Sequence, residues 1–150
     1  MSDQACEFPL TNATEPEIDE LLAAARTIAV VGLSEKPDRD SHQVAAYLQR
    51  QGFRIIPVNP GSDRILGERA YPDLAAIPEG IRVDIVNIFR KPDAIPAIVE
   101  QAVARGTSAV WMQRGLAHNA AADTARAAGL KVVMDRCLMV EHARFAARRR

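Results

Sequence analysis

A chain of 150 residues with 48% hydrophobic and 25% charged residues has the size and composition of one globular domain, able to bury a core without disulfide or metal staples. Its 19 basic and 19 acidic residues cancel, which removes any global field for nucleic acid or anionic lipid, and no apolar run approaches the roughly 20 residues of a membrane span. The start, Met1-Ser-Asp-Gln-Ala-Cys-Glu7, lacks the basic and apolar stretches of a secretory signal, and Cys6 and Cys137 form neither a disulfide framework nor a Cys-x-x-Cys site; the expectation is a cytoplasmic protein with two free thiols.

Residues 1–13 read as an N-terminal extension. Thr14-Glu-Pro-Glu17 has the spacing of a capping box, followed by Ile18, Leu21, Leu22 and Ala25 at helical intervals, so a helix is expected over 15–25. Ile28-Ala-Val-Val31 is a continuous apolar run, the mark of a strand buried on both faces, and it ends at Gly32. A polar turn follows. Ser41 is expected to cap a helix whose Val44, Ala45 and Leu48 face inward, with Gly52 at its end. Phe53 to Val58 reads as strand two, with Pro57 near its end, and Asn59-Pro60-Gly61 turns the chain. Ile65-Leu66-Gly67 is expected to add a short edge strand and Tyr71 to Ile77 a short helix.

The pattern then repeats. Val83 to Phe89 is strand three, Ala94 to Arg105 a helix with an early Pro96 and Gly106 at its close, and Ala109 to Gln113 strand four. An alanine-rich helix from about Ala117 to Ala128, Gly129, strand five over Lys131 to Asp135 and a helix from Leu138 complete the domain, 14–145. Residues 146–150 read as a basic tail, whose charge run Arg148-Arg149-Arg150 is expected to be solvated and frayed.

Strands alternating with helices predict an α/β, doubly wound, Rossmann-like domain: a mainly parallel sheet of about five strands with helices on both faces. In such sheets the ligand lies outside the carboxyl ends of the strands, where the winding reverses. The informative segments are therefore Gly32 to Ser41, Asn59 to Gly61, Arg90 to Pro92, Gln113 to Gly115 and Arg136-Cys137.

A strand ending in one glycine before a helix start is a place for phosphate, because the first N–H groups of a helix lack partners and its dipole favours an anion. The dinucleotide pattern Gly-x-Gly-x-x-Gly is incomplete, since Ser34 and Pro37 stand at its later glycines, and no P-loop Gly-Lys-Ser/Thr is present. Lys36, Arg39, Arg90, Lys91, Arg114 and Arg136 supply donors suited to phosphate, against Glu35, Asp38, Asp40, Asp93 and Asp135 that can pair with them. Ser34 and Ser41 are phosphate candidates or plain turn and cap residues. Asn59 stands where nicotinamide-binding sheets carry an acidic residue for the ribose, which argues against NAD. Trp111 and Met112 read as core. His42, His118 and His142 lack a matched carboxylate or thiol nearby in sequence and read as surface or cap-adjacent residues, and no metal-ligand spacing exists. Cys137, just past strand five, is a buried cysteine or a thiol that exchanges with a ligand.

Val31-Gly-Leu-Ser34, Pro37-x-Arg39-x-Ser41, Pro57-Val-Asn-Pro60, Ile88-Phe-Arg90-x-Pro92, Val110-Trp-Met-Gln-x-Gly115 and Val133-Met-Asp-Arg-Cys137 follow one another here. In these motifs, over about residues 14–145, the chain resembles the small stand-alone CoA-binding proteins of bacteria and archaea, and it is similar to the CoA-binding domain of the succinyl-CoA synthetase alpha subunit. The resemblance implies coenzyme A or acyl-CoA as ligand. By motif, Gly32, Leu33, Ser34 and Ser41 would approach the phosphates, Asn59 and Pro60 the adenosine end, and Arg90, Lys91, Pro92 and Gln113 to Gly115 the pantetheine path. The larger relatives add a phosphohistidine domain and an ATP-grasp partner, neither encoded here, so no catalytic residue transfers.

Three readings result. The first is a non-catalytic CoA or acyl-CoA binder that acts alone, as a homodimer or with a partner protein. The second is an enzyme, either a nicotinamide oxidoreductase or one component of a split acyl-CoA synthetase. The third is an interaction module with a vestigial site. The small-residue face of Ala120 to Ala128 suits a second copy or close helix–sheet packing equally.

Overall fold

A computed structural model describes residues 7–149; Cys6 and Arg150 therefore lie outside the described residues. Helix α1 spans Glu15–Ala24, and Thr14 begins it with a reciprocal capping box: the Glu17 N–H donates to Thr14 Oγ1 while the Thr14 N–H donates to the Glu17 carboxylate. Then come β1 (Thr27–Val31), α2 (Asp40–Arg50), β2 (Arg54–Val58), the short β3 (Arg64–Ile65) and β4 (Glu68–Arg69), a 3-10 turn at Leu74–Ala76, and β5 (Ile85–Ile88). A second 3-10 turn, Pro92–Ala94, leads into α3 (Ile95–Arg105), followed by β6 (Ala109–Met112), α4 (Asn119–Ala127), β7 (Lys131–Val133) and α5 (Leu138–Arg148).

Five parallel strands form one sheet in the order β2-β1-β5-β6-β7. The chain leaves β1 toward β2 on one side and later returns to β5 on the other, so the winding reverses between β1 and β5. Period-two alternation sorts the strand side chains onto two faces. Ile28, Val30, Ile85, Ala109 and Trp111 pack with Ile18, Leu22, Val44, Leu48 and Leu138 of α1, α2 and α5. Ala29, Val31, Val86, Ile88, Val110 and Met112 pack with Val99, Ala102, Ala122 and Ala125 of α3 and α4. Because both faces are covered, these strands read as unbroken apolar runs, and full burial of each Val, Ile or Leu side chain stabilises the fold by about 1.5–3 kcal/mol.

Several expectations change. The predicted edge strand at Ile65-Leu66-Gly67 is instead part of a separate two-stranded hairpin, β3 against β4, with Leu66 at φ 55° in its turn. Val83 and Asp84 precede β5; the Asp84 carboxylate turns back to accept the N–H groups of Arg26 and Thr27, at 2.8 and 2.9 Å. Helix α4 starts at Asn119, after His118, whose ring accepts the Ala121 N–H. Its small face, Ala121, Ala122 and Ala125, is buried in the core, which accounts for the alanines by close packing within the chain. The expected basic tail is largely helical: α5 runs to Arg148, which pairs with Glu15 and Asp19 of α1, and Arg149 stacks over Phe145.

The end of the N-terminal extension is tied to the domain by two asparagines. Asn12 exchanges two hydrogen bonds with the Met134 backbone, and the Asn119 side chain accepts from the Leu10 N–H and donates to the Phe8 carbonyl. No helix among the described residues is long and apolar enough to cross a membrane.

Candidate functional site

Gly32 stands where the winding reverses. Its φ is +90°, a region that side chains rarely adopt, and a Cβ there would lie 3.0 Å from Arg90 Cδ and 3.1 Å from the Phe89 carbonyl oxygen. The turn after β1 is thus pressed directly onto the end of β5, and only glycine permits that approach. The next residues are wound into a rigid loop. The Ser34 N–H donates to Ser41 Oγ at 3.0 Å, the Lys36 N–H donates to Ser34 Oγ at 3.1 Å, and His42 Nδ1 donates to the Ser34 carbonyl at 2.9 Å. Asn59 Nδ2 reaches across from β2 to the Leu33 carbonyl, and Asn59 Oδ1 accepts the Gly61 N–H.

These bonds redefine some predicted roles. Ser41 does not cap α2: Arg39 occupies the cap position without a side-chain capping bond, and Ser41 lies buried one step inside the helix, holding the Ser34 amide. Leu33 is fully buried among residues of the α2 face, so the loop can offer a ligand its backbone and not its side chain. Asn59 spends its amide on the loop. Gly115 has φ +88° and gives its N–H to Asp135 Oδ1 at 2.7 Å, joining the turns after β6 and β7.

Two clefts flank Gly32, and neighbouring residues of β5's end line one each, as alternation requires. Arg90 faces a cleft of about 220 Å³ with Val31, Val58, Pro60 and Ile98, between β2 and α3. Phe89 faces one of about 350 Å³ with Asp40, Gln113, Arg114, Cys137 and Val140, between the starts of α2 and α5. The structure therefore places Pro60 with Arg90 and separates Arg90 from Gln113, which the motif reading had grouped. Lys91 and Pro92 lie at the start of the 3-10 turn leading to α3 and line neither cleft.

The charges around this edge are open. Lys36, Arg39, Arg90, Lys91 and Arg114 are exposed, and none joins an ion pair among the described residues. Of the predicted basic set only Arg136 is paired, 3.9 Å from Glu141. The expected neutralisation by Glu35, Asp38, Asp40 and Asp93 does not occur; Glu35 accepts from Ser62 instead.

Beneath the larger cleft lies a buried polar ladder. Gln113 is 8% exposed, and its Oε1 accepts from Asn87 Nδ2 and from the Leu138 N–H, both at 3.3 Å. Asn87 itself is fully buried, and its Oδ1 has no partner among the described residues. Trp111, predicted as core, is fully buried and anchors the turn before α5 by donating Nε1–H to the Arg136 carbonyl. His142 is the sequence reading's clear miss: it is 7% exposed, shares a 2.8 Å hydrogen bond with the Tyr47 hydroxyl, and sits among Tyr47, Phe53 and Phe145. Burial pushes its imidazole below the usual histidine range. It closes the α2–α5 seam behind the cleft. Among the described residues no cluster of three His, Cys, Asp or Glu side chains suits a metal ion.

Comparison with known proteins gives this edge a context. The model of the CoA binding domain matches residues 26–143. Over 134 residues the chain is 40% identical to the uncharacterized protein YneT of Bacillus subtilis, covering 89% of this chain and 98% of YneT. A hypothetical protein from Pyrococcus horikoshii has the same fold at a TM-score of 0.86 and 36% identity, covering 97% of this chain and 99% of its own. An ADP-forming acetate–CoA ligase of Archaeoglobus fulgidus is 27% identical over 95 residues, 62% of this chain but 14% of the ligase.

Proposed function

Since the chain belongs to the CoA-binding domain family, we propose that it binds coenzyme A or an acyl-CoA across the carboxyl edge of its sheet, as a binder without autonomous catalysis. The observation that carries this reading is the division of one edge into two clefts by the Gly32 turn, with unpaired cations around it. Coenzyme A is a long molecule with an anionic middle and two dissimilar ends, and this edge offers a matching sequence of environments.

The cleft beside Pro60 and Arg90 suits the adenosine end, because nucleotide-binding sheets of this winding hold the base near the end of the strand next to the switch point. The phosphates then lie over the Gly32–Ser34 turn and the start of α2, where no side chain caps the first N–H groups and Lys36 and Arg39 add positive charge. The cleft lined by Phe89, Gln113 and Val140 takes the pantetheine arm. Its mix of apolar walls and one buried amide fits a chain of methylenes interrupted by two amide groups. A nicotinamide ligand is disfavoured by the end of β2, where Asn59 already holds Leu33 and Gly61 and no carboxylate is present for the ribose.

Calorimetry with CoA, dephospho-CoA, NAD and ADP tests the proposal. CoA is expected to bind most tightly, with dephospho-CoA weaker through loss of the 3′-phosphate. Preferential binding of NAD, or no binding of CoA, would overturn it. The similarity of one segment of the acetate–CoA ligase also permits a role as the CoA-binding component of a partnered synthetase, which would appear as CoA-dependent association with a second subunit.

A further inference from the structure

We propose that Cys137 is a thiol–disulfide exchange site for pantetheine-type disulfides, CoA disulfide above all, so that the protein can hold CoA covalently as a mixed disulfide. The inference rests on the CoA reading above and adds a redox-controlled form of the same site.

Cys137 is the free cysteine among the described residues, and it forms part of the wall of the 350 Å³ cleft. It occupies the cap position of α5, yet its side chain makes no capping bond. A cysteine in a cleft is not by itself a site. The independent observation is Gln113, which lines the same cleft, is more than nine-tenths buried, and has an unpartnered amide nitrogen. Two donors, Asn87 Nδ2 and the Leu138 N–H, converge on Gln113 Oε1. Since Leu138 contributes a backbone N–H, the oxygen must face it, and this fixes the orientation of the carboxamide. Nε2 then carries two N–H donors with no protein acceptor among the described residues, on a residue that borders the cleft. This nitrogen keeps contact with the solvent of the cleft and is free to donate to a ligand carbonyl there in place of water.

Leu138, the residue after Cys137, is thus held by the amide that would receive the ligand's carbonyl. A pantetheine arm presents amide carbonyls at fixed distances from a terminal sulfur, and Val44, Phe89, Met139 and Val140 offer apolar contact to its methylenes. Glutathione, with two carboxylates and an ammonium group around its sulfur, lacks that apolar stretch.

The step balances without an external oxidant. Deprotonated Cys137 Sγ attacks one sulfur of CoA disulfide; the new Sγ–S bond forms as the old S–S bond breaks, and one CoA departs with the electron pair as a thiolate that water protonates. A second thiol reverses the reaction by the same route.

The test uses the full chain carrying Cys6→Ser, so that Cys137 is its single thiol. Intact mass is followed after addition of CoA disulfide or glutathione disulfide at equal concentration, with and without excess desulfo-CoA, while calorimetry measures CoA binding by the reduced protein. The expected result is a CoA adduct that forms about tenfold faster than the glutathione adduct, slows with desulfo-CoA, disappears on reduction and is absent from Cys6→Ser/Cys137→Ser. Absence of an adduct, equal rates for the two disulfides, or a rate unaffected by desulfo-CoA would overturn the exchange site. If the reduced protein still binds CoA in those cases, only this inference fails; if it does not bind CoA, the reading beneath it fails as well.

Discussion

The two edges of the sheet treat their polar groups in opposite ways. At the amino edge, Asp84 accepts from the N–H groups of Arg26 and Thr27 and pairs with Arg82, which also donates to Ser108. Nearby, the Arg105 guanidinium donates to the carbonyls of Leu74, Ile77, Pro78 and Ile81. At the carboxyl edge, among the described residues, Lys36, Arg39, Arg90, Lys91 and Arg114 have no ion-pair partner, α2 starts without a side-chain cap, and the Gln113 amide nitrogen has no acceptor. Cavity size alone would mislead, since the amino edge holds the larger cleft, about 540 Å³ against 350 and 220 Å³. What separates the edges is whether their charged groups already have partners: those at the amino edge hold the fold, and those at the carboxyl edge stay without ion pairs among the described residues.

Substitutions at the two edges should therefore report in different assays. The largest effect on stability is expected from Asp84→Ala, which strands two backbone N–H groups and should lower the unfolding free energy by roughly 3 kcal/mol while folded protein keeps its CoA affinity. Denaturant unfolding and calorimetry read the two quantities separately. Burial opposes the charge on Asp84, but the N–H groups of Arg26 and Thr27 and the Arg82 guanidinium outweigh it and hold the carboxyl below its ordinary value of 3.8. Its contribution is therefore complete above that value and is lost as pH falls through the lowered folded value. If Asp84→Ala weakened CoA binding and left stability intact, the division between edges would be wrong.

Gly32→Ala comes next and sits between the two classes. A Cβ at φ +90°, against Arg90 and the Phe89 carbonyl, should cost about 1–3 kcal/mol of stability and force the loop off β5. CoA affinity should fall by more than about tenfold as the phosphate turn moves. Unchanged CoA affinity in a folded Gly32→Ala protein would remove the turn from the site. Arg39→Ala should weaken CoA binding by roughly 1–3 kcal/mol with stability preserved, because the side chain is exposed and unpaired. No change in calorimetry would exclude Arg39 from the contact.

The smallest effect concerns the α2–α5 seam behind the 350 Å³ cleft of the carboxyl edge. Burial lowers the His142 pKa below its ordinary value of 6.5, so the folded state favours the neutral ring and the unfolded state binds the proton more readily. Stability from this group is full above pH 6.5 and declines as pH falls through that value. Thermal unfolding should show a drop of a few degrees between about pH 7.5 and 5.5 that His142→Phe reduces. An identical pH profile in that variant would assign the effect elsewhere.

Much of the fold was legible because parallel strands covered on both faces must be apolar without interruption, and Ile28 to Val31, Val86 with Ile88, and Ala109 to Met112 show it. Capping chemistry at Thr14 and glycines at helix ends fixed most helix limits. Ser41 misled by two positions: serine favours caps, but the cap is Arg39 and the Ser41 hydroxyl accepts the Ser34 N–H instead. The site was legible as a set of strand ends, though not in its division. Alternation says that Phe89 and Arg90 point apart, but which helix covers each face depends on the crossovers. Asp84, Arg105 and His142 were not legible as structural groups because their partners come from distant segments. The carbonyls around Arg105 lie 24 to 31 residues away, and Tyr47 lies 95 residues from His142.

The most direct measurement is a backbone amide NMR titration of the folded protein with CoA, which reads both edges of the sheet in one experiment. Shifts are expected to gather at Gly32 to Ser41, Phe89-Arg90, Gln113 to Leu116 and Cys137 to Val140, while Arg82 to Asp84 and Arg105 to Thr107 stay still. Shifts centred on the amino-edge cleft, or a spectrum that saturating CoA leaves unchanged, would contradict it.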